Sequence, residues 1–271
     1  MANKIGFIGA GNMAEAIISG IIDAGLYKPK NIYVSDLRTE HLNGLCEQYH
    51  LTAATDNCQL ARAVDILLLA VKPQNFSEVL EQVKDAVKDD TLIISIAAGI
   101  TIKTIESAIG QKAIVRVMPN TPSLIGCGAA GMYANDKAKA KIGQAAEIFT
   151  AVGKAVELER EELIDAVTAV SGSGPAYFFL LAEEMIKAGI DLGLDAELAT
   201  ELVLQTAKGA AILAQEKNKT GQNPEVLRQK VTSPGGTTAA AIGVFVENDF
   251  GRIVSDALKA AAKRSKELSG N

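Results

Sequence analysis

At 271 residues the chain is close to the size at which one hydrophobic core divides into two. Hydrophobic residues make up 48% and charged residues 22%, a globular balance that excludes a disordered chain. The net charge of −5 excludes a general nucleic-acid surface, so an anionic substrate has to be held by local groups.

The run Lys4-Ile5-Gly6-Phe7-Ile8 has strand length, and Ala16-Ile17-Ile18-Ser19-Gly20-Ile21-Ile22 suits a buried helix ending at Gly25. Between them lies Gly9-Ala10-Gly11-Asn12-Met13-Ala14, a G-x-G-x-x-A turn between strand and helix. That order is a dinucleotide-binding fingerprint. Gly9 permits the tight turn, Gly11 lets backbone approach a pyrophosphate, and the helix start offers free N–H groups with its positive dipole end. Residues 31–36 read as the second strand, with Ser35 and Asp36 at its end. An acid there binds adenosine ribose hydroxyls and favours NAD, whereas Arg38 would clamp the extra phosphate of NADP. Asp36 is equally placed to cap a helix beginning near Thr39.

Residues 65–71 form an apolar run expected of a strand covered on both faces, stopping at Ala70-Val71-Lys72-Pro73. Phe76, Val79, Leu80, Val83 and Val87 mark the inner face of a helix. Residues 92–96 make the next strand, followed by Ala97-Ala98-Gly99, whose small side chains suit either a flat ring lying on backbone or a tight turn. Residues 113–117 make another, running into Met118-Pro119-Asn120-Thr121-Pro122, read as an extended loop whose polar groups orient a carboxamide or satisfy their own backbone. Short strands around Met132 and Ala155 flank a helix over about 137–150. This alternation predicts an α/β fold with an N-terminal Rossmann-type doubly wound parallel sheet over residues 1–159.

From residue 160 to 271 the strand signal disappears, and an all-helical dimerisation domain is expected, with helices near 163–170, 175–192, 196–215, 224–231 and 252–268. Ser173-Gly174-Pro175 reads as a helix start. Helices this apolar need more cover than their neighbours supply, so a two-fold homodimer is expected. Thr232-Ser233-Pro234-Gly235-Gly236-Thr237-Thr238 is the outlier, a hydroxyl-rich glycine turn before a helix beginning Ala239-Ala240-Ala241. Such a turn is either a donor nest for a carboxylate or an ordinary helix cap.

Cys46, Cys58 and Cys127 have no C-x-x-C or zinc spacing, so no metal is expected and they read as reduced thiols of a cytoplasmic protein. No charged leader precedes an apolar segment, and no uncharged stretch reaches 18 apolar residues, so no membrane partner is expected. His41 and His50 fall on the adenosine side and read as solvent-facing, leaving no histidine acid or base; Lys72 is the one basic residue at a strand end in the right half.

The motifs Gly6-Phe7-Ile8-Gly9-Ala10-Gly11-Asn12-Met13, Ala70-Val71-Lys72-Pro73, Ser95-Ile96-Ala97-Ala98-Gly99, Met118-Pro119-Asn120-Thr121-Pro122, Ser171-Gly172-Ser173-Gly174-Pro175-Ala176-Tyr177 and Ser233-Pro234-Gly235-Gly236-Thr237-Thr238 follow one another in order. Together they resemble pyrroline-5-carboxylate reductase from residue 4 to about 268. The resemblance implies reduction of L-1-pyrroline-5-carboxylate to L-proline by NADPH or NADH, the last step of proline synthesis. It assigns Ser233, Gly235, Gly236 and Thr237 to the substrate carboxylate. The resemblance also implies that Thr238 lies nearest the ring nitrogen, as hydrogen-bond partner and proton donor, with Ser233 beside it in the catalytic set. It places Asn57 near the adenosine ribose, and Lys72, Ala97 and Asn120 around the nicotinamide. Asn12, Met13, Ala70, Val71, Pro73, Ala98 and Gly99 complete the cofactor motifs. It also implies a homodimer, or an oligomer of dimers, with the substrate loop of one subunit over the cofactor of the other. Three positions depart from the family pattern: Asp36, Gln222-Asn223-Pro224 and Phe245-Val246. The alternatives are a reductase of another cyclic imine, a 3-hydroxy acid dehydrogenase relative using Lys187 or Lys208, and a nucleotide-binding regulator without turnover.

Overall fold

The structure is a computed structural model that describes residues 4–270. Eight strands among the described residues form one sheet. They are β1 (Ile5–Ile8), β2 (Ile32–Ser35), β3 (Thr52–Ala53), β4 (Ile66–Leu69), β5 (Leu92–Ser95), β6 (Ala113–Met118), β7 (Gly128–Ala134) and β8 (Gly153–Glu157). Their spatial order is β3-β2-β1-β4-β5-β6-β7-β8. The helices interleaved with them are α1 (Asn12–Asp23), α2 (Thr39–Tyr49), α3 (Asn57–Ala63), α4 (Phe76–Val83), α5 (Ile102–Ile109) and α6 (Ile142–Thr150). Residues alternate between the two faces of a strand, so a strand covered on both sides must be apolar throughout. In β4, Ile66 and Leu68 pack under α1, α2 and α6, while Leu67 and Leu69 pack under α3, α4 and α5. All four are fully buried, and truncating any one of them to alanine costs about 2–5 kcal/mol.

The expected parallel sheet holds from β3 through β6, and then departs from expectation: β7 pairs antiparallel with β6. A parallel crossover needs a dozen or more residues. Only a tight 3₁₀ turn, Thr121–Ile125 with Pro122 in its first turn, joins these strands, so the chain has to reverse. The segment read as an extended loop is extended through Asn120, with φ −136° and ψ 166°, and its last two residues, Thr121 and Pro122, open the helical turn. α6 then provides a crossover, and β8 lies parallel to β7.

Beyond the sheet, α7 (Leu163–Val167) continues through a π-helical turn, Thr168–Gly172, into α8 (Gly174–Asp191). Pro175 has no N–H, so the ordinary ladder cannot run through it, and Ser173 N donates to Thr168 O instead at 2.8 Å. The expected break at Ser173 is thus a change of helical pitch. The joined stretch Leu163–Asp191 is long and apolar enough to span a membrane by length and composition, although no uncharged run within it reaches 18 residues. α9 (Ala196–Asn218), α10 (Pro224–Lys230), α11 (Thr237–Glu247) and α12 (Phe250–Leu268) follow.

Two compact units emerge, one running through Pro175 and resuming at Lys259, the other Ala176–Leu258. In the first, the end of α12 is anchored by Ser265 Oγ donating to Asp165 Oδ1 at 2.6 Å, both residues buried. The Leu268 carbonyl lies over Gly99 so closely that a Cβ there would sit 2.8 Å from its oxygen. In the second, α8 and α9 form a hairpin in which Gly189 faces Ala199. Ala199 is the one buried residue among the described residues of this unit, while Phe178, Phe179 and Leu192 are 72%, 66% and 87% exposed. Burial of apolar surface drives folding, so helices left this bare require a further surface against them.

Candidate active site

Open sheets of this kind bind ligands beyond the carboxyl ends of their strands, where the strand order reverses. Here that point lies between β1 and β4, where Ala70 N donates to Ile8 O at 2.8 Å. Gly9 turns with φ +93°, and a Cβ on it would lie 2.8 Å from the Ala70 carbonyl oxygen. Only glycine fits there. Gly11 has open space where its Cβ would be, and it precedes α1 with no side-chain cap. The first N–H groups of α1, from Asn12 and Met13 onward, therefore face the crevice unused, as pyrophosphate binding requires. These residues fit a dinucleotide.

At the end of β2, Asp36 Oδ2 accepts from Ala10 N at 2.8 Å. Both of its oxygens also take the Arg38 guanidinium, Oδ1 from Nε at 2.9 Å and Oδ2 from Nη2 at 3.0 Å. Burial pushes this carboxyl up, but hydrogen bonds from the Arg38 side chain and backbone and from Ala10 N–H outweigh it, lowering it to about 2. Asp36 is not a cap for α2, whose N-cap position is Arg38. The two residues read as rivals for nucleotide choice are thus bound to each other. Ser35 Oγ donates to Asn57 Oδ1, and Asn57 Nδ2 to Gln82 Oε1, each at 2.6 Å. Gln82 carries no motif and was missed.

Asn120 is buried with its amide committed to backbone, Oδ1 accepting from Ala129 N at 2.8 Å and Nδ2 donating to Ser171 O at 3.0 Å. Ser171 lies four residues before Pro175, so its carbonyl is one the proline leaves without a helical donor. Of the alternatives left open for this loop, its side chain takes the backbone one. Lys72 is exposed beyond β4, and Ala97, Ala98 and Gly99 follow β5 with Ala97 buried.

In the helical unit, Gly235 adopts φ +73° and Gly236 N donates to Ser233 O at 3.0 Å, closing a tight turn before α11. α11 starts at Thr237, not Ala239, so Thr237 and Thr238 occupy its first turn, and no side chain caps it. The hydroxyls of Ser233, Thr237 and Thr238 have no hydrogen-bond partner among the described residues, and neither do the N–H groups of Thr237 and Thr238. An ordinary side-chain cap is absent; the donors remain open for an anion.

Two titratable groups depart from expectation. His50 is exposed, but His41 is half-buried, with Nε2 2.5 Å from Ala10 O. Lys187 is paired with Glu183 at 2.6 Å and Glu184 at 2.8 Å, and those carboxylates hold its ammonium above its ordinary range. It is a poor base for a hydroxy acid.

A sheet of this order, opening its crevice beneath an uncapped helix start and followed along the chain by a helical domain, defines a dinucleotide-dependent oxidoreductase. Residues 161–268 match the family model for pyrroline-5-carboxylate reductase dimerisation, and residues 4–99 match that for NADP oxidoreductase, coenzyme F420-dependent. The chain is 45% identical to the pyrroline-5-carboxylate reductase of Pseudomonas aeruginosa, covering 98% of this chain and 97% of that one. Among solved structures, a pyrroline-5-carboxylate reductase from Coxiella burnetii superposes with a TM-score of 0.92 at 42% identity, over 99% and 98% of the two chains. A pyrroline carboxylate reductase from Plasmodium falciparum with NADP bound gives 0.85 at 35% identity, over 98% of each. The chain belongs to the pyrroline-5-carboxylate reductase family. It self-associates through its dimerisation region.

Proposed function

We propose that this protein reduces L-1-pyrroline-5-carboxylate to L-proline with NADPH or NADH. The observation that carries this reading is the 233–238 turn, whose three unpartnered hydroxyls stand at an uncapped helix start. When bound, the reduced nicotinamide supplies the hydride that the imine carbon takes up, while the ring nitrogen gains a proton. The start of α1 holds the pyrophosphate on the N–H groups after Gly11, with Asn12 and Met13 in that first turn. Ser35, Asp36, Arg38 and Asn57 border the adenosine ribose. Ala70, Val71, Lys72, Pro73, Ala97, Ala98, Gly99 and the loop held by Asn120 border the nicotinamide. Ser233, Gly235, Gly236 and Thr237 hold the substrate carboxylate, and Thr238 Oγ1 hydrogen-bonds the ring nitrogen and donates its proton. Catalysis is by positioning and electrostatics.

In this reading residues 1–159 bind the nucleotide and residues 160–271 bind substrate and dimerise, in a cytoplasmic homodimer or an oligomer of such dimers. The exposed phenylalanines of α8 support a protein interface over a membrane contact, because Glu183, Glu184 and Lys187 sit exposed on the same helix. The test follows NADPH and NADH oxidation with pyrroline-5-carboxylate, its six-membered homologue and a 3-oxo acid. Turnover is expected with the five-membered imine, and Thr238→Ala should lower kcat roughly tenfold, about 1.4 kcal/mol. Oxidation with the 3-oxo acid alone would replace this reading with the dehydrogenase one, and an unchanged kcat would remove Thr238 from the mechanism.

A further inference from the structure

Ala10, the middle residue of the glycine turn, is fully buried, and both of its backbone groups are taken by side chains from one downstream segment. Its N–H goes to Asp36 Oδ2 at 2.8 Å and its carbonyl to His41 Nε2 at 2.5 Å. A carbonyl oxygen only accepts, so Nε2 carries the hydrogen in this contact. Asp36 is in turn held on both oxygens by Arg38. The segment from the end of β2 to the first turn of α2 thus grips the Gly9-Ala10-Gly11 turn from both sides.

We infer that His41 is a positioning residue for nucleotide binding, acting through Ala10 to preset the turn that aims the first N–H groups of α1. The inference rests on the nucleotide-site reading. Its reasoning is entropic. A turn flanked by Gly9 and Gly11 has wide conformational freedom, and whatever order the protein does not impose beforehand must be imposed when the nucleotide binds. Fixing the carbonyl of the residue between those glycines removes that freedom in the free protein. Position along the chain also matters, because His41 acts on the pyrophosphate turn, which NADH and NADPH share, whereas Arg38 lies toward the part in which they differ. Losing His41 therefore weakens both nucleotides alike.

The experiment measures NADPH and NADH dissociation constants by calorimetry on the intact protein, together with steady-state kinetics, for His41→Ala, His41→Gln and Gly11→Val. One hydrogen bond of this kind corresponds to about fivefold in affinity. His41→Ala is expected to raise both dissociation constants and both nucleotide KM values about fivefold, with kcat at saturation and the pyrroline-5-carboxylate KM unchanged. His41→Gln, whose amide nitrogen replaces Nε2 as donor, should restore values to within twofold. Unaltered binding by His41→Ala, a change confined to one nucleotide, or failure of glutamine to rescue would overturn the inference. Gly11→Val separates the two ideas: lost NADPH binding upholds the site itself, while undiminished binding would remove both the site and the role of His41.

Discussion

Gly9 and Gly11 stand two residues apart in one motif, yet the structure assigns them opposite sensitivities to a single added methyl. At Gly9, φ is +93°, and non-glycine residues pay about 1–2 kcal/mol to adopt such backbone. The new Cβ would also meet the Ala70 carbonyl oxygen at 2.8 Å and its carbon at 2.9 Å, backbone that cannot rotate aside. Forcing β1 and β4 apart there adds about 1–3 kcal/mol. Gly9→Ala should therefore destabilise the nucleotide-free protein by about 3 kcal/mol, which at 2–4 °C per kcal/mol lowers Tm by about 6–12 °C. At Gly11 the protein itself places nothing within 4 Å of the added atom, and φ is −75°. Gly11→Ala should keep Tm within about 2 °C while raising the NADPH dissociation constant at least tenfold, since at the proposed site the methyl would enter the space given to the pyrophosphate. Thermal melts at one fixed protein concentration and nucleotide titration read the two effects separately. Equal Tm losses in both variants, or tight NADPH binding by Gly11→Ala, would refute the reasoning.

Arg116 donates to Glu161 at 2.9 Å with only 5% of its side chain exposed, and the same Glu161 oxygen accepts from Ile102 N. Arg116→Ala strands that carboxylate and should cost about 3 kcal/mol, read as a Tm drop of about 6–12 °C; a drop under 2 °C would show the pair to be idle. Because the folded Asp36 carboxyl titrates near 2, below its ordinary 3.8, its charge contributes stability in full above about pH 4 and loses it as the pH falls toward 2. Acid unfolding should therefore show a gap between the native protein and Asp36→Asn that closes below pH 4, and a gap constant from pH 7 to 2 would contradict this. Burying one phenylalanine is worth about 1.5–3 kcal/mol, and a two-fold interface uses it twice. Phe178→Ser should then weaken self-association at least a hundredfold in sedimentation, and an unaltered assembly would place Phe178 outside the interface.

What the residues disclosed in advance depended on whether the cause was local. Ile66 to Leu69 announce a doubly covered strand because that condition demands apolar side chains at every position. β3 is two residues at the sheet edge, Thr52 half-buried and Ala53 exposed, with no pattern to read. The reversal at β7 is a matter of connection length, which shows only once both strand ends are located. Asn120 and His41 owe their places to carbonyls on distant segments, one left open by Pro175 and the other in the glycine turn. No spacing along the chain brings those partners together. The 233–238 turn was legible because glycine, proline and hydroxyl residues concentrate where backbone donors are left open, although α11 begins two residues earlier than expected.

The anchoring of α12 bears on how the protein is made. Asp165 finds its buried partner in Ser265, a hundred residues later, and Gly99 is roofed by Leu268. A nascent chain emerges in order, and domains ordinarily complete themselves as they appear. Here the first unit has all its strands once Glu157 is out, yet must wait through synthesis of the whole helical unit for the contacts of Ser265 and Leu268. Until then Asp165 lacks its partner and the Ala97-Ala98-Gly99 turn lies open. The final turns of α12 are thus the last part of this unit to be made, and Leu268 can cover Gly99 only once α8 to α11 exist.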